Sequence, residues 1–121
     1  MLFAFKDSRF GNPVLVWPQA HVYHNCNIAI QLFCQDPDNG FVGPWAKASV
    51  NPGIVIPQDQ VALKTWTENA GLVPLLIEAN IVEDFILETI QTGFGITQVH
   101  RLTKDFYRTL VLPMLLENPK C

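Results

Sequence analysis

The alternation of apolar and polar residues in the first half of the chain restricts its fold more than any other feature. Residues 28–34 place Ile28, Ile30 and Leu32 on one side of an extended chain and the residues between them on the other. A period of two is typical of a strand that buries one face. Residues 13–17 are apolar and β-branched, residues 21–23 continue this run, and the alternation returns at 45–51 and 60–66. Turn-forming residues separate them, above all at 35–40, so the pattern predicts mostly antiparallel strands with a hairpin just before residue 28.

The period changes after residue 71. Residues 72–79 form a short apolar stretch that predicts a buried helix. This helix is expected to start near Gly71, because Pro74 is tolerated only in the first turn of a helix. Asn80 stands where a residue in the left-handed conformation often ends a helix. Two further strands are predicted at residues 83–91 and 94–102.

The end of the chain has a helical pattern over residues 103–118. The spacing places five apolar residues on one side of that helix: Phe106, Leu110, Val111, Met114 and Leu115. Pro113 costs about 3 kcal/mol inside a helix, so a kink or an end is expected near Leu112.

Together these patterns predict an α+β fold with a mostly antiparallel sheet of five to seven strands, one short helix on one face and a C-terminal helical tail. At 121 residues the chain fits a single domain. That domain is expected to span residues 1–102. Residues 103–121 are expected to form a tail that packs on the domain or on a partner subunit.

Composition restricts the partners that we expect. The net charge is −3, and the eight Lys and Arg residues are scattered singly, so no basic face is available for nucleic acid. No apolar run approaches the roughly 20 residues of a membrane-spanning helix. Residues 1–7 lack the order of charged and apolar residues that a signal peptide has. We therefore expect no nucleic-acid partner, no membrane partner and a cytoplasmic location.

Three cysteines and two nearby histidines raise the question of metal binding or catalysis. The cysteines cannot all pair, and their spacing fits no disulfide scaffold, so reduced thiols are expected for Cys26, Cys34 and Cys121. Four possible zinc ligands lie on different faces of the predicted strands and are not expected to converge: His21, His24, Cys26 and Cys34. Cys26 with His24 is an alternative nucleophile and base, but no helix N-terminus follows to lower the pKa of the thiol. We expect no metal, no cofactor and no catalytic residue.

The junction between the strand at 60–66 and the helix carries the residues best suited to binding. Lys64, Trp66, Glu68 and Asn69 cluster there. One interpretation is structural. Glu68 pairs with Lys64, and its carboxylate is stabilised by the positive end of the helix dipole. The side chain of Asn69 or Thr67 caps the helix. The other is a recognition surface with Trp66 as its anchor, since binding residues concentrate on loops held by a rigid scaffold.

The stretch from about residue 28 to residue 102 resembles a family of small proteins of unknown function that bacterial mobile elements and phages carry. The matching blocks are residues 28–32 (IAIQL), 49–51 (SVN), 61–64 (VALK), 67–72 (TENAGL) and 92–94 (TGF). The most specific part is residues 64–71. The chain departs from the family pattern at Asn80, where Gly is usual, and this departure is tolerable because Asn reaches the left-handed conformation at modest cost.

The resemblance implies a viral or mobile-element origin, and small proteins of that origin often bind and block a host machine. We therefore expect a non-catalytic binding or inhibitor protein that acts in the host bacterial cytosol. Its expected role is counter-defence, by occupying a host protein or a small signalling ligand. The alternatives are a small enzyme that depends on cysteine and histidine, and a structural homo-oligomer.

The tail lies outside the resemblance, which implies a domain that is complete without it. We therefore favour packing of the tail on a neighbouring copy, most simply in a two-fold homodimer. The expected interface residues are Leu110, Val111, Met114 and Leu115.

Overall fold

The computed structural model describes residues 1–93 and 95–121, and within them the chain forms seven strands. In chain order these are β1 (Phe5–Asp7), β2 (Val14–Val22), β3 (Ile28–Gln35), β4 (Val42–Lys47), β5 (Gln60–Leu63), β6 (Val82–Thr92) and β7 (Gly95–Leu102). A 3-10 turn (Thr67–Asn69) and helix α1 (Leu72–Glu78) lie between β5 and β6. The tail consists of α2 (Lys104–Phe106), a π-helical turn (Tyr107–Val111) and α3 (Leu112–Leu116). Phe94, where one predicted strand begins and one family block ends, lies outside the described residues.

The strands form two antiparallel sheets rather than the single sheet expected. The first sheet has the order β1-β2-β3-β4 and the second the order β5-β7-β6. The chain passes from one to the other just after β4. The Ala48 N–H donates to the carbonyl of Ile30 in the first sheet (3.0 Å), and the Val50 N–H donates to the carbonyl of Ala62 in the second (3.0 Å). The α+β class and the mostly antiparallel pairing are thus confirmed. The run at residues 45–51 forms hydrogen bonds with both sheets.

One core lies between the sheets, α1 and the tail. The inward residues of β3 are Ile28, Ile30 and Leu32, each at most 1% exposed. This confirms the alternation that predicts a strand with one buried face. The same cluster includes Leu72 and Leu76 of α1 and Phe106 and Val111 of the tail. Burial of these side chains contributes roughly 1.5–3 kcal/mol each, so α1 and the tail are integral to the domain.

Helix α1 begins and ends where its proline and asparagine predict. Pro74 is the third helical residue, where its missing N–H leaves no bond unmade. Asn80 has φ +63°, and the Ile81 N–H donates to the carbonyl of Leu76 (3.0 Å), which satisfies the end of the helix. The expected side-chain cap is wrong: the residue before the helix is Gly71, with φ +80° and no capping side chain.

Pro113 neither ends nor sharply interrupts the tail. A π-helical turn precedes it, in which the Leu112 N–H donates to the carbonyl of Tyr107. Pro113 then falls at the start of α3. A π turn widens the backbone by one residue, and this provides room for the proline ring that a regular helix lacks.

The tail packs on its own domain. Phe106 and Val111 are fully buried, and the Phe106 ring meets the Phe3 ring edge to face with 5.2 Å between centroids. Of the two placements expected for the tail, the structure has the one on its own domain, and an additional contact with a neighbouring copy remains a prediction. Val111 cannot line an interface, and the other expected interface residues are half-buried against the core: Leu110, Met114 and Leu115. The exposed leucines of the tail are instead Leu112 (41%) and Leu116 (77%).

A disulfide joins Cys26 to Cys121, with 5.5 Å between their Cα atoms. The expectation of three reduced thiols is therefore wrong for these two residues, and Cys34 remains free. Cys26 lies in the turn between β2 and β3 with φ +69°. The Gln58 side chain donates to the carbonyl of Cys121 (3.3 Å) and helps to hold the end of the described chain against that turn.

Candidate functional site

Three chain segments that follow strands enclose a groove where the two sheets meet. Tyr23 follows β2, Ser49 and Asn51 follow β4, and Lys64 and Trp66 follow β5. The groove has a volume of about 490 Å³. Its lining residues are Tyr23, Lys47, Ser49, Val50, Asn51, Lys64, Trp66 and Thr67. We call it the inter-sheet groove.

Side-chain hydrogen bonds hold the wall of the inter-sheet groove. The hydroxyls of Tyr23 and Ser49 are 2.9 Å apart, and the Ser49 hydroxyl also accepts from the Ile30 N–H (2.9 Å). The amide oxygen of Asn51 accepts from the side chains of Asn25 and Asn27, both at 3.2 Å. Burial raises the pKa of Tyr23 above its usual value of 10.0, and the bond to Ser49 only partly opposes this shift. The Tyr23 ring is therefore a neutral, fixed surface.

Two lysines lie over aromatic rings of this groove. The Lys47 ammonium is 5.3 Å from the centre of the Tyr23 ring, and the Lys64 ammonium is 5.9 Å from the centre of the Trp66 ring. Lys64 also pairs with Glu68 at 2.7 Å. Hydrogen bonds from Lys64 and then Thr67 lower the pKa of Glu68 from 4.5 to about 2. Among the described residues no carboxylate lies within 4.0 Å of the Lys47 ammonium, so this charge is free to meet a ligand.

The backbone at the rim of the groove is strained. Thr67 has φ +55°, which a β-branched residue rarely adopts, and such strain costs on the order of 1–3 kcal/mol. Arg9 anchors the same loop, because its guanidinium donates to the carbonyls of Glu68 (2.9 Å) and Ala70 (3.0 Å). The N-terminal segment thus fixes the loop that presents Trp66.

A buried carboxylate orients Arg9. Asp7 is 1% exposed and accepts from the Arg9 guanidinium at 2.8 Å and from the Trp45 indole at 3.0 Å. Burial alone would raise the pKa of Asp7, but the bonds from Arg9 and Trp45 together hold it below the usual 3.8. Asp7 is therefore ionised near neutral pH and holds Arg9 in place.

Three of the four predicted binding residues meet at the groove or its rim. Lys64 and Trp66 line it, and Glu68 lies beside them with 52% of its side chain exposed. Asn69 is different, because it is fully buried and donates to the carbonyl of Lys47 (2.8 Å). A partner cannot reach Asn69 in this conformation, so its predicted place on a recognition surface is wrong, and it instead ties the loop to the end of β4.

The remaining groove residues were not found from the sequence. Tyr23, Lys47 and Asn51 come from segments that are distant from Trp66 along the chain. Tyr23 and Asn51 are the last residues of the predicted runs 21–23 and 45–51, and Lys47 lies inside the second, but these positions do not reveal which strand ends meet. Thr67 carries no sequence signal for its positive φ, since Gly or Asn is the usual residue there.

The histidine and cysteine cluster is not assembled as a site. Cys26 is bonded to Cys121, so its sulfur is not a free nucleophile. In residues 1–93 and 95–121 no three side chains of His, Cys, Asp or Glu come close enough together to hold a metal ion. The enzyme alternative based on Cys26 and His24 thus lacks its nucleophile in the cross-linked protein.

Comparison with known proteins finds no matching protein family, no matching curated protein and no matching solved structure. Within the described chain, no helix has the length and apolar character needed to cross a membrane.

Proposed function

We propose that the chain is a non-catalytic binding protein of phage or mobile-element origin that inhibits a host defence by occupying a host protein or a small signalling ligand. The origin and the counter-defence role rest on the family resemblance of residues 28–102. The binding role rests on one observation, the inter-sheet groove, which brings Lys64 and Trp66 together with Tyr23 and Lys47.

The size and rigidity of the groove support binding. Sites for small ligands usually have volumes of roughly 300–1,000 Å³, and this groove has about 490 Å³. Its wall is ordered in advance by the bonds among Tyr23, Ser49 and Asn51 and their neighbours. A site that is already ordered loses less entropy when a partner binds.

The chemistry of the lining supports a role without catalysis. The lining residues include no His, Cys, Asp or Glu, and the general acids or bases that they do include are Tyr23, whose pKa is raised by burial, and the two lysines. Lys64 is engaged in an ion pair with Glu68 at 2.7 Å.

The proposed location is the host bacterial cytosol, and the Cys26–Cys121 disulfide provides its test. Cytosolic reductants keep most thiols reduced, so the cross-link in the structure counts against this location. If the proposal is right, thiol labelling in intact cells, followed by mass measurement, should find Cys26 and Cys121 reduced and labelled there, and the cross-linked form would arise only after exposure to an oxidant. Full protection of both residues in cells would place the protein in an oxidising compartment instead.

We also propose that the chain forms a homo-oligomer, through interface residues other than those expected from the sequence. The exposed Leu112 and Leu116 provide the apolar surface that the half-buried tail residues do not. Light scattering of the full chain tests this idea. A particle of monomer mass over a wide concentration range would contradict it, and Leu116→Glu should dissociate any dimer formed there.

Binding through the groove can be tested with a matched pair of tryptophan variants. Trp66 lines the groove, whereas Trp17 pairs opposite Phe33 on the first sheet, away from it. Purified protein is incubated with bacterial lysate, and the retained proteins and heat-released small molecules are identified by mass spectrometry. We expect a species that wild type and Trp17→Ala retain and that Trp66→Ala loses.

Identical retained species for wild type and Trp66→Ala would contradict the proposal. Circular dichroism of each variant checks that it is folded. The counter-defence part predicts that expression in a phage-resistant strain raises the number of plaques, and that Trp66→Ala does not.

A further inference from the structure

We propose that the inter-sheet groove takes a small anion joined to a planar ring, the chemistry of a nucleoside monophosphate. This inference rests on the proposed binding function and names the class of ligand.

The charge of the groove indicates the anion. Lys47 and Lys64 are its only charged lining residues in the described part of the chain. The whole chain carries −3, so the groove is a local positive site on an acidic protein. A phosphate or carboxylate there gains attraction from Lys47, which has no competing carboxylate within 4.0 Å.

The aromatic residues indicate the ring. Trp66 is half-buried and packs closely on β7, since a Cβ added at Gly95 would lie 3.2 Å from its Cε3 atom. Its ring is therefore held in place by this packing. Tyr23 and Val50 lie in the same groove. Flat rings stack well on fixed aromatic side chains. A ligand that carries both an anion and a ring can draw the Lys47 and Lys64 ammoniums, which lie 5.3 and 5.9 Å from the Tyr23 and Trp66 ring centres, toward its anion and place its ring against the aromatic side chains.

Glu68 sets the strength of anion binding. Glu68 lies beside the groove, and its carboxylate forms an ion pair with the Lys64 ammonium at 2.7 Å. Its side chain is half exposed and does not line the groove. An anionic ligand competes with the Glu68 carboxylate for the Lys64 ammonium. Removal of the Glu68 charge therefore strengthens binding of an anion and weakens binding of a cation, so this variant reports the sign of the ligand's charge.

The experiment is isothermal titration of the oxidised full chain with AMP, adenosine and inorganic phosphate. We expect saturable binding of AMP and much weaker binding of adenosine and of phosphate. Glu68→Gln should strengthen AMP binding about two- to fivefold, the size of an exposed ion pair. Lys47→Met should weaken it about tenfold, as for loss of one charged hydrogen bond. Lys6→Met changes an exposed lysine on β1 and should leave the affinity unchanged.

Three results would overturn the inference. These are no saturable heat with AMP, equal binding of AMP and adenosine, and AMP binding that Glu68→Gln weakens. If AMP fails but the lysate experiment still finds a species that only Trp66→Ala loses, the ligand class is wrong and the binding function stands. If both experiments fail, the proposed function is wrong as well.

Discussion

Loss of the Cys26–Cys121 disulfide should greatly reduce the stability of this domain. The two cysteines are separated by 95 residues, so the cross-link closes almost the whole chain into a loop. In the chain-entropy account, a loop of this length restricts the unfolded state by about 4.7 kcal/mol at 25 °C. Measured values are usually about 2–4 kcal/mol, and we expect Cys121→Ser to lower the free energy of unfolding by about 3–4 kcal/mol.

The assay is urea unfolding, followed by tryptophan fluorescence, with and without a dithiol reductant. For a domain of this size the slope is about 2 kcal/mol per molar urea, so the midpoint should fall by about 1.5–2 M. Cys121→Ser should unfold at that lower midpoint whether or not reductant is present. Cys34→Ser is the matched control, because Cys34 is the free cysteine and this variant should keep the response to reductant.

Two results would refute this reasoning. Mass measurement after alkylation of the denatured, unreduced protein should show one labelled thiol, and three would mean that the disulfide does not form. Equal urea midpoints for the oxidised and reduced wild-type protein, with one labelled thiol, would mean that the cross-link does not restrict the unfolded chain as calculated.

Further predictions concern a buried charge, a helix end and the tail. Asp7→Asn should lower the free energy of unfolding by about 3 kcal/mol. Because the pKa of Asp7 is lowered in the folded protein, this difference from the wild type should be full above about pH 4 and should shrink as the pH falls below 3.8. Acid-unfolding curves of both proteins measure it. Asn80→Gly should be neutral or slightly stabilising, and Asn80→Val should cost more than about 1 kcal/mol in urea unfolding, since φ is +63° there. Phe106→Ala should cost about 3–5 kcal/mol in the same assay, and a near-neutral effect would contradict packing of the tail on its own domain.

Local patterns predicted most of the elements because their causes are local. The alternation at residues 28–34 depends only on one buried face, and β3 spans Ile28–Gln35. Pro74 and Asn80 restrict their own backbone angles, and α1 begins and ends accordingly. The division into two sheets depends instead on which strands Ala48 and Val50 contact, and these contacts connect distant parts of the chain.

The misjudged features also depend on long-range contacts. Nothing near Cys26 indicates that residue 121 lies 5.5 Å away. The resemblance implies a domain that is complete without the tail, yet Phe106 and Val111 belong to the core. Two of the eight lining residues of the groove, Lys64 and Trp66, were accessible to local reasoning because they are close in sequence. Tyr23 and Lys47 join them only through the tertiary fold.

The same asparagine residues connect the cross-linked turn to the groove. Asn27 lies next to Cys26, donates to the Asn51 side chain (3.2 Å) and the carbonyl of Ile54 (2.7 Å), and accepts from the Ile56 N–H (2.9 Å). The disulfide therefore restrains the turn whose bonds position Asn51 in the groove wall. On the opposite rim, Arg9 restrains the strained loop at Thr67. A groove held on both sides loses little entropy when a ligand binds, and this order supports the proposed binding role.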